Sequence, residues 1–197
     1  MQIVLASTSQ YRATALEQLR ISFDTAAPEV DEQPLPGERP AALALRLASA
    51  KALAVAERFP EAVVIGGDQV GECDGVVLSK PGTAAENVRQ LLGCAGRSAL
   101  FHSALAVVNP RERTCTSVVV PTRLEYRAFS RTEVEAYVAA DAAYDCAGGF
   151  KVEAFGISLF RSVKADDPTA LVGLPLIALT GMLRRCGVLM PALEPSA

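Results

Sequence analysis

The chain has 197 residues, half of them hydrophobic, and a formal net charge of −3, a size that suits one domain over residues 1–197, or two small lobes sharing a sheet. The slight negative charge, with no basic stripe carrying interleaved aromatics, argues against nucleic acid as the main partner. No apolar run reaches membrane-spanning length and no charged region precedes the short apolar start, so neither a membrane span nor a signal peptide is expected, and the expected location is cytoplasmic.

Residues 2–6 are a short apolar run, read as a strand, that breaks into Ser7-Thr8-Ser9. Ser9 serves as N-cap for a helix to Arg20, with Ala13, Leu16 and Leu19 or Arg20 setting its faces. A strand feeding a helix N-terminus presents free amide hydrogens and the positive end of the macrodipole. Ser7, Ser9 and Arg12 stand where hydroxyls and a guanidinium fork add to that attraction for anions. Serine-rich joints of this kind also act simply as caps, and the glycines that usually let a backbone close on phosphate are missing.

The proline-rich stretch 33–40 reads as a loop, and residues 40–59 as a helix with Pro40 in its first turn and Leu43, Leu47, Ala50 and Ala54 as its apolar stripe. Lys51 falls at the edge of that stripe, where the local pattern alone gives a snorkelling lysine with a solvated head. Residues 63–65 form the core of a buried strand running into Gly66-Gly67-Asp68-Gln69. The glycines allow a turn or a close approach, which would put Asp68 at a strand end. Lys80, in Ser79-Lys80-Pro81-Gly82, follows a second strand, where an ordinary exposed turn lysine is the plain reading.

Thr83 to Glu86 is a capping box opening a helix to Leu92, and Ser130 to Glu133 another opening a helix to about Ala140. Between them, runs at 100–108 and 115–126 are strands of a hairpin closed by residues 109–113. A strand over 156–163 follows, with Glu153 near its start. Gly173-Leu174-Pro175 begins a last helix that Gly187 stops, and the tail from Pro191 is expected to fray. The five cysteines form no CxxC pair and read as reduced, mostly buried thiols. His102, the single histidine, has a core or edge role. A histidine triad, an HExxH site and a Walker A loop are missing from the sequence.

Taken jointly, LASTSQYR, the PEVDE ending, Lys51 within a helix, GGDQV, the SKPG turn, CAGGFKVEAFG at residues 146–156 and DDPTALVGLPL at residues 166–176 resemble the Maf family of nucleoside triphosphate pyrophosphatases over nearly the whole chain. The resemblance implies an α/β fold, a mixed central sheet with flanking helices and two lobes around a substrate cleft. It implies hydrolysis between the alpha and beta phosphates of a small-molecule nucleotide, giving a monophosphate and pyrophosphate, with Mg or Mn as divalent metal cofactor. Asp68 is then the proton acceptor. Ser7, Arg12, Lys51 and Lys80 hold the phosphates, and Glu32, with Asp31 or Asp68, carries the metal through oxygen ligands. The residue types suit the chemistry, which needs charge neutralisation, in-line positioning and an activated water. The family also implies a possible homodimer.

Tyr11, Gln69 and Glu153 stand where the dTTP and UTP branch of the family tends to have arginine, threonine and glutamine. The triplet instead resembles the branch acting on 7-methyl-GTP. Methylation at N7 gives guanine a positive charge that the face of Tyr11 attracts by about 0.5 to 2 kcal/mol. Glu153 can accept hydrogen bonds from the guanine ring N–H and exocyclic amine, donors that a pyrimidine does not present as a pair. The alternatives are a dTTP, UTP or broader house-cleaning pyrophosphatase and, from another class, a nucleotide-binding regulator of cell division.

Overall fold

A computed structural model describes residues 1–191; past Pro191, the tail expected to fray lies outside the described residues. Seven strands form one mixed sheet in the order β2-β1-β3-β5-β6-β7, with β4 paired to β3. The strands are β1 (Ile3–Ala6), β2 (Asp24–Thr25), β3 (Val63–Cys73), β4 (Val76–Leu78), β5 (Ser98–Asn109), β6 (Thr114–Tyr126) and β7 (Phe160–Ala165). The helices are α1 (Gln10–Glu17), α2 (Pro40–Ala56), α3 (Ala84–Cys94), α4 (Arg131–Ala140) and α5 (Leu176–Arg185). β1 runs parallel to both β2 and β3, whereas β4 and β7 pair antiparallel with β3 and β6. The mixed α/β fold expected from the sequence is therefore the one observed. Among the described residues, no helix is long and apolar enough to cross a membrane.

The chain divides into two compact units, the first made of Met1–Asp68, Ser103–Val120 and the segment from Asp167 onward, the second of Gln69–His102 and Pro121–Asp166. In the first, Ile3 and Leu5 of β1 and Val63 and Ile65 of β3 pack with Leu16 of α1 and with Leu179 and Leu183 of α5. All four residues of β1 are buried, as a strand paired on both edges and covered by helices must be. In the second, the rings of Phe101, Tyr126, Phe150 and Phe160 meet edge-on or tilted, and α3 packs on α4.

Local signals were read correctly where side chains close their own caps. The Ser9 hydroxyl accepts from the Arg12 amide, and Ser130 with Glu133 forms the complete capping box expected. At Thr83 only half of the expected box forms, since the hydroxyl accepts from the Glu86 amide while the Glu86 carboxylate is taken by Arg89 at 2.7 and 2.9 Å. Gly187, at φ 83°, follows the last helix as expected.

Several boundaries differ. α1 stops at Glu17 because the chain must turn back to β2, and Arg20 enters the left-handed region at φ 52° to do so. α2 stops at Ala56, and its buried face, Leu43, Ala44, Leu47, Ala48, Lys51, Ala52 and Val55, is two residues wide, which leaves Ala50 and Ala54 half-buried beside it. The strand expected over 156–163 is a 3-10 turn, Phe155–Leu159, followed by β7. The Ser158 hydroxyl closes that turn on the Phe155 carbonyl at 2.8 Å. Most consequential for the site, β3 does not end at the glycines. It continues through Asp68 to Cys73, so Asp68 lies in mid-strand and not at a strand end.

Candidate active site

Gly66 and Gly67 explain how β3 can continue and still serve a site. A Cβ built on Gly66 would lie 2.3 Å from the Ala48 carbonyl oxygen and 2.8 Å from the Ala52 Cβ, so only glycine lets α2 approach the strand this closely. One on Gly67 would lie 3.3 Å from Arg12 Cδ and Nε, so the arginine side chain runs along β3 next to Asp68. Close approach, and not a turn, is what this glycine pair provides.

That approach brings Lys51 to the carboxylates. Lys51 is 6% exposed, and its Nζ meets Asp68 Oδ1 at 2.7 Å and Glu32 Oε1 at 2.6 Å. The snorkelling expected from the local pattern is corrected by this geometry, because the ammonium is buried and both its neighbours are anions. Asp68 is itself buried, whereas the Glu32 side chain is 62% exposed. Asp31, next to Glu32 and exposed, turns its Oδ1 to the Gln33 amide at 2.9 Å. The segment between them and α2 is fastened by Arg46, which forks onto Glu38 at 2.7 and 2.8 Å and reaches the Gln33 carbonyl at 2.9 Å. The fork, with the Leu35 amide, draws the Glu38 carboxyl down to about 2.

Ser7 and Arg12 form the adjoining piece. Buried Ser7 Oγ accepts from the Ser9 amide at 3.1 Å, and Arg12 Nη1 lies 3.4 Å from it. Arg12 Nε donates to the Gly173 carbonyl at 3.0 Å. Burial pushes the guanidinium below its ordinary pKa, a tendency opposed by the charges of Asp68 and Glu32. Two cations, two carboxylates and a hydroxyl are thus assembled from the end of β1, the start of α1, the loop before α2, α2 itself and mid-β3.

Among the described residues, no three of His, Cys, Asp and Glu cluster as a ready-made metal cage. The donor set still fits a hard divalent cation. Such ions are commonly held by one or two carboxylates with water and substrate phosphate completing the shell, and Glu32 and Asp68 converge on one point marked by the Lys51 ammonium.

The description Maf-like protein matches residues 2–186. The chain belongs to the Maf family. Among its relatives is a protein of Xanthomonas oryzae named 7-methyl-GTP pyrophosphatase, 51% identical over 96% of this chain and 99% of its own. Proteins of the same name from Aromatoleum aromaticum and Burkholderia pseudomallei are 51% and 50% identical, over 96% and 94% of this chain and 98% and 88% of theirs. Among solved structures, the Ham1 protein of Staphylococcus aureus matches at 18% identity and a TM-score of 0.47, over 64% of this chain and 72% of its own.

In this Maf chain the remaining expected site residues are placed as follows. Tyr11 is half-buried on α1 in the first unit. Gln69, Lys80 and Glu153 belong to the second unit, Gln69 half-buried on β3, Lys80 exposed just after β4 and Glu153 exposed before the 3-10 turn. From the sequence, Gly173 begins the last helix and lies within DDPTALVGLPL, and neither reading points to Arg12. Its contact with Arg12 is made by a carbonyl, and a backbone acceptor leaves no mark in residue type.

Proposed function

We propose that the chain hydrolyses 7-methyl-GTP to 7-methyl-GMP and pyrophosphate in the cytoplasm. The observation that carries the reading is the buried Lys51 ammonium joining Asp68 and Glu32 beside Arg12 and Ser7. Relatives at half identity over almost the whole chain that carry the name 7-methyl-GTP pyrophosphatase support this choice of substrate.

In this reading Arg12, Lys51, Lys80 and the Ser7 hydroxyl neutralise and align the phosphate oxygens, which raises the electrophilicity of the alpha phosphorus and stabilises the leaving pyrophosphate. Asp68, held by Lys51 and shielded from bulk water, accepts the proton of the attacking water. Glu32 and Asp68, with Asp31 at the rim, would hold Mg or Mn, which supplies Lewis-acid polarisation of phosphoryl oxygens when bound. Tyr11 offers its ring to the cationic base, Glu153 accepts from the Watson–Crick edge of guanine, and Gln69 lines the same choice.

The test is pyrophosphate release from 7-methyl-GTP, GTP, dTTP, UTP and CTP, with Mg, with Mn and with chelator. Fast, metal-dependent cleavage of 7-methyl-GTP is expected. Preference for dTTP or UTP would keep the reaction and sink the base assignment, and nucleotide binding without turnover on any substrate would leave a binding protein.

A further inference from the structure

Residues 166–176, DDPTALVGLPL, take no part in the chemistry just assigned, yet they hold one of the most thoroughly bonded carboxylates of the first unit. Asp167 is 3% exposed. Its Oδ1 accepts from the Thr169 amide at 2.9 Å and the Thr169 hydroxyl at 2.6 Å, and its Oδ2 accepts from the Ile177 amide at 2.7 Å. Thr169 Oγ1 in turn accepts from the Leu176 amide at 2.8 Å. The N-cap of α5 is Pro175, which makes no side-chain cap, so the first amides of the helix are satisfied by residues from well upstream.

This remote cap closes the chain into a short ring. Inside it, the 3-10 turn Ala170–Val172 ends in Gly173 at φ 107°, a conformation that favours glycine. The Ser103 hydroxyl on β5 donates to the Ala170 carbonyl at 2.6 Å and ties the turn to the sheet. The carbonyl of Gly173, at the end of this turn, accepts from Arg12 Nε at 3.0 Å.

A guanidinium turns about its Cδ–Nε bond unless Nε–H is engaged, and a two-pronged grip on phosphate requires its plane to be set within roughly 10–20°. Fixing Nε leaves the terminal nitrogens as the donors facing an anion. A buried carboxylate is costly to desolvate, and one used for three bonds within a turn makes that turn rigid in return. We propose that Asp167, acting through Thr169 and the Gly173 carbonyl, is the positioning residue that sets the plane of Arg12 for the phosphates of the nucleotide. The proposal rests on the reading of Arg12 as a phosphate ligand, but the orientation is measurable without turnover.

Two readouts on the full chain test it. The first is solvent exchange of the Arg12 Nε–H by NMR, identified as the signal lost in Arg12→Lys. Asp167→Asn and Thr169→Val are each expected to speed that exchange at least about tenfold. The second is binding of inorganic tripolyphosphate in a double-mutant cycle. Asp167→Asn should weaken binding roughly tenfold when Arg12 is present and by under about twofold in Arg12→Lys, because a residue acting through Arg12 loses its effect when Arg12 is gone. Equal losses in both backgrounds, unchanged Nε–H exchange, or no tripolyphosphate binding by the wild-type chain would overturn the proposal. Where Asp167→Asn does not fold, Thr169→Val, which removes the relay and keeps the buried charge, decides both readouts. A wild-type chain that shows the coupling but cleaves no nucleotide would sink the pyrophosphatase reading alone, and an active chain with unaltered Nε–H exchange would sink the positioning alone.

Discussion

Removing a lysine ammonium from water costs on the order of several kcal/mol unless anions replace the lost hydration, and at Lys51 two do. Lys51→Met would leave buried Asp68 without that cation. Breaking a buried pair from one side costs about 3–5 kcal/mol, so a clear fall in unfolding free energy by urea titration is expected together with loss of turnover. Unchanged stability would mean that the carboxylate relaxes into water and that the pair is looser than its 2.7 Å implies. Asp68→Asn separates chemistry from binding, since the amide keeps the shape but takes no proton. Turnover should fall by at least about a hundredfold with nucleotide affinity within a few-fold of wild type, and near-normal activity would refute Asp68 as the proton acceptor. Glu153→Gln belongs to recognition. The ratio of kcat/KM for 7-methyl-GTP over GTP should shrink by roughly tenfold with phosphate cleavage otherwise preserved, and an unchanged ratio would remove Glu153 from the base contact. At this scale the sequence showed the residue types but not their state. Lys51 looked like a surface lysine because a one-residue pattern on a helix says nothing about the strand that will face it.

Between elements, the decisive contact is α2 against β3 at Gly66. A methyl there would meet the Ala48 carbonyl oxygen and the Ala52 side chain, both on the helix that carries Lys51. Backbone cannot yield as a flexible side-chain end can, so Gly66→Ala should cost about 3 kcal/mol and should also displace Lys51 from Asp68. The expected signature is a lowered unfolding midpoint together with a fall in kcat/KM, and a stable, fully active Gly66→Ala protein would show that α2 is free to shift. Element positions were legible where the signals are local. Ser9, Thr83 and Ser130 marked three helix starts to the residue, and the polar turn at 109–113 marked the β5–β6 hairpin. The failures share one cause. The length of β3 past Asp68, the 3-10 turn at 155–159 and the width of the buried face of α2 are set by what packs against them, and no local pattern carries that information.

For the chain as a whole, the second unit contains ionisable groups whose burial ties its fold to pH. Burial, with the neighbouring Cys73 adding to it, pushes the Cys94 thiol up to about 12 from an ordinary 9.0. Burial, then Cys94, raises the Tyr126 hydroxyl well above 10.0, and burial together with Asp141 raises Tyr137 as well. In the unfolded chain the Cys94 thiol gives up its proton near 9.0, and in the folded chain only near about 12. Between those values the unfolded state binds fewer protons, so stability is complete below about pH 9 and declines as the pH climbs toward 12. Tyr126 and Tyr137 act in the same direction, and their ionisation is expected to come in one cooperative step with unfolding. In a Tyr11→Phe/Tyr144→Phe background, which leaves Tyr126 and Tyr137 as the only phenols, phenolate absorbance and far-ultraviolet circular dichroism followed through that range should therefore change together, and adding Tyr126→Phe, which removes one of the groups that must ionise, should move the step to higher pH. A gradual, reversible phenolate titration with the helical signal intact would mean that these rings meet water without unfolding, and that the aromatic core of the second unit is open to solvent in solution.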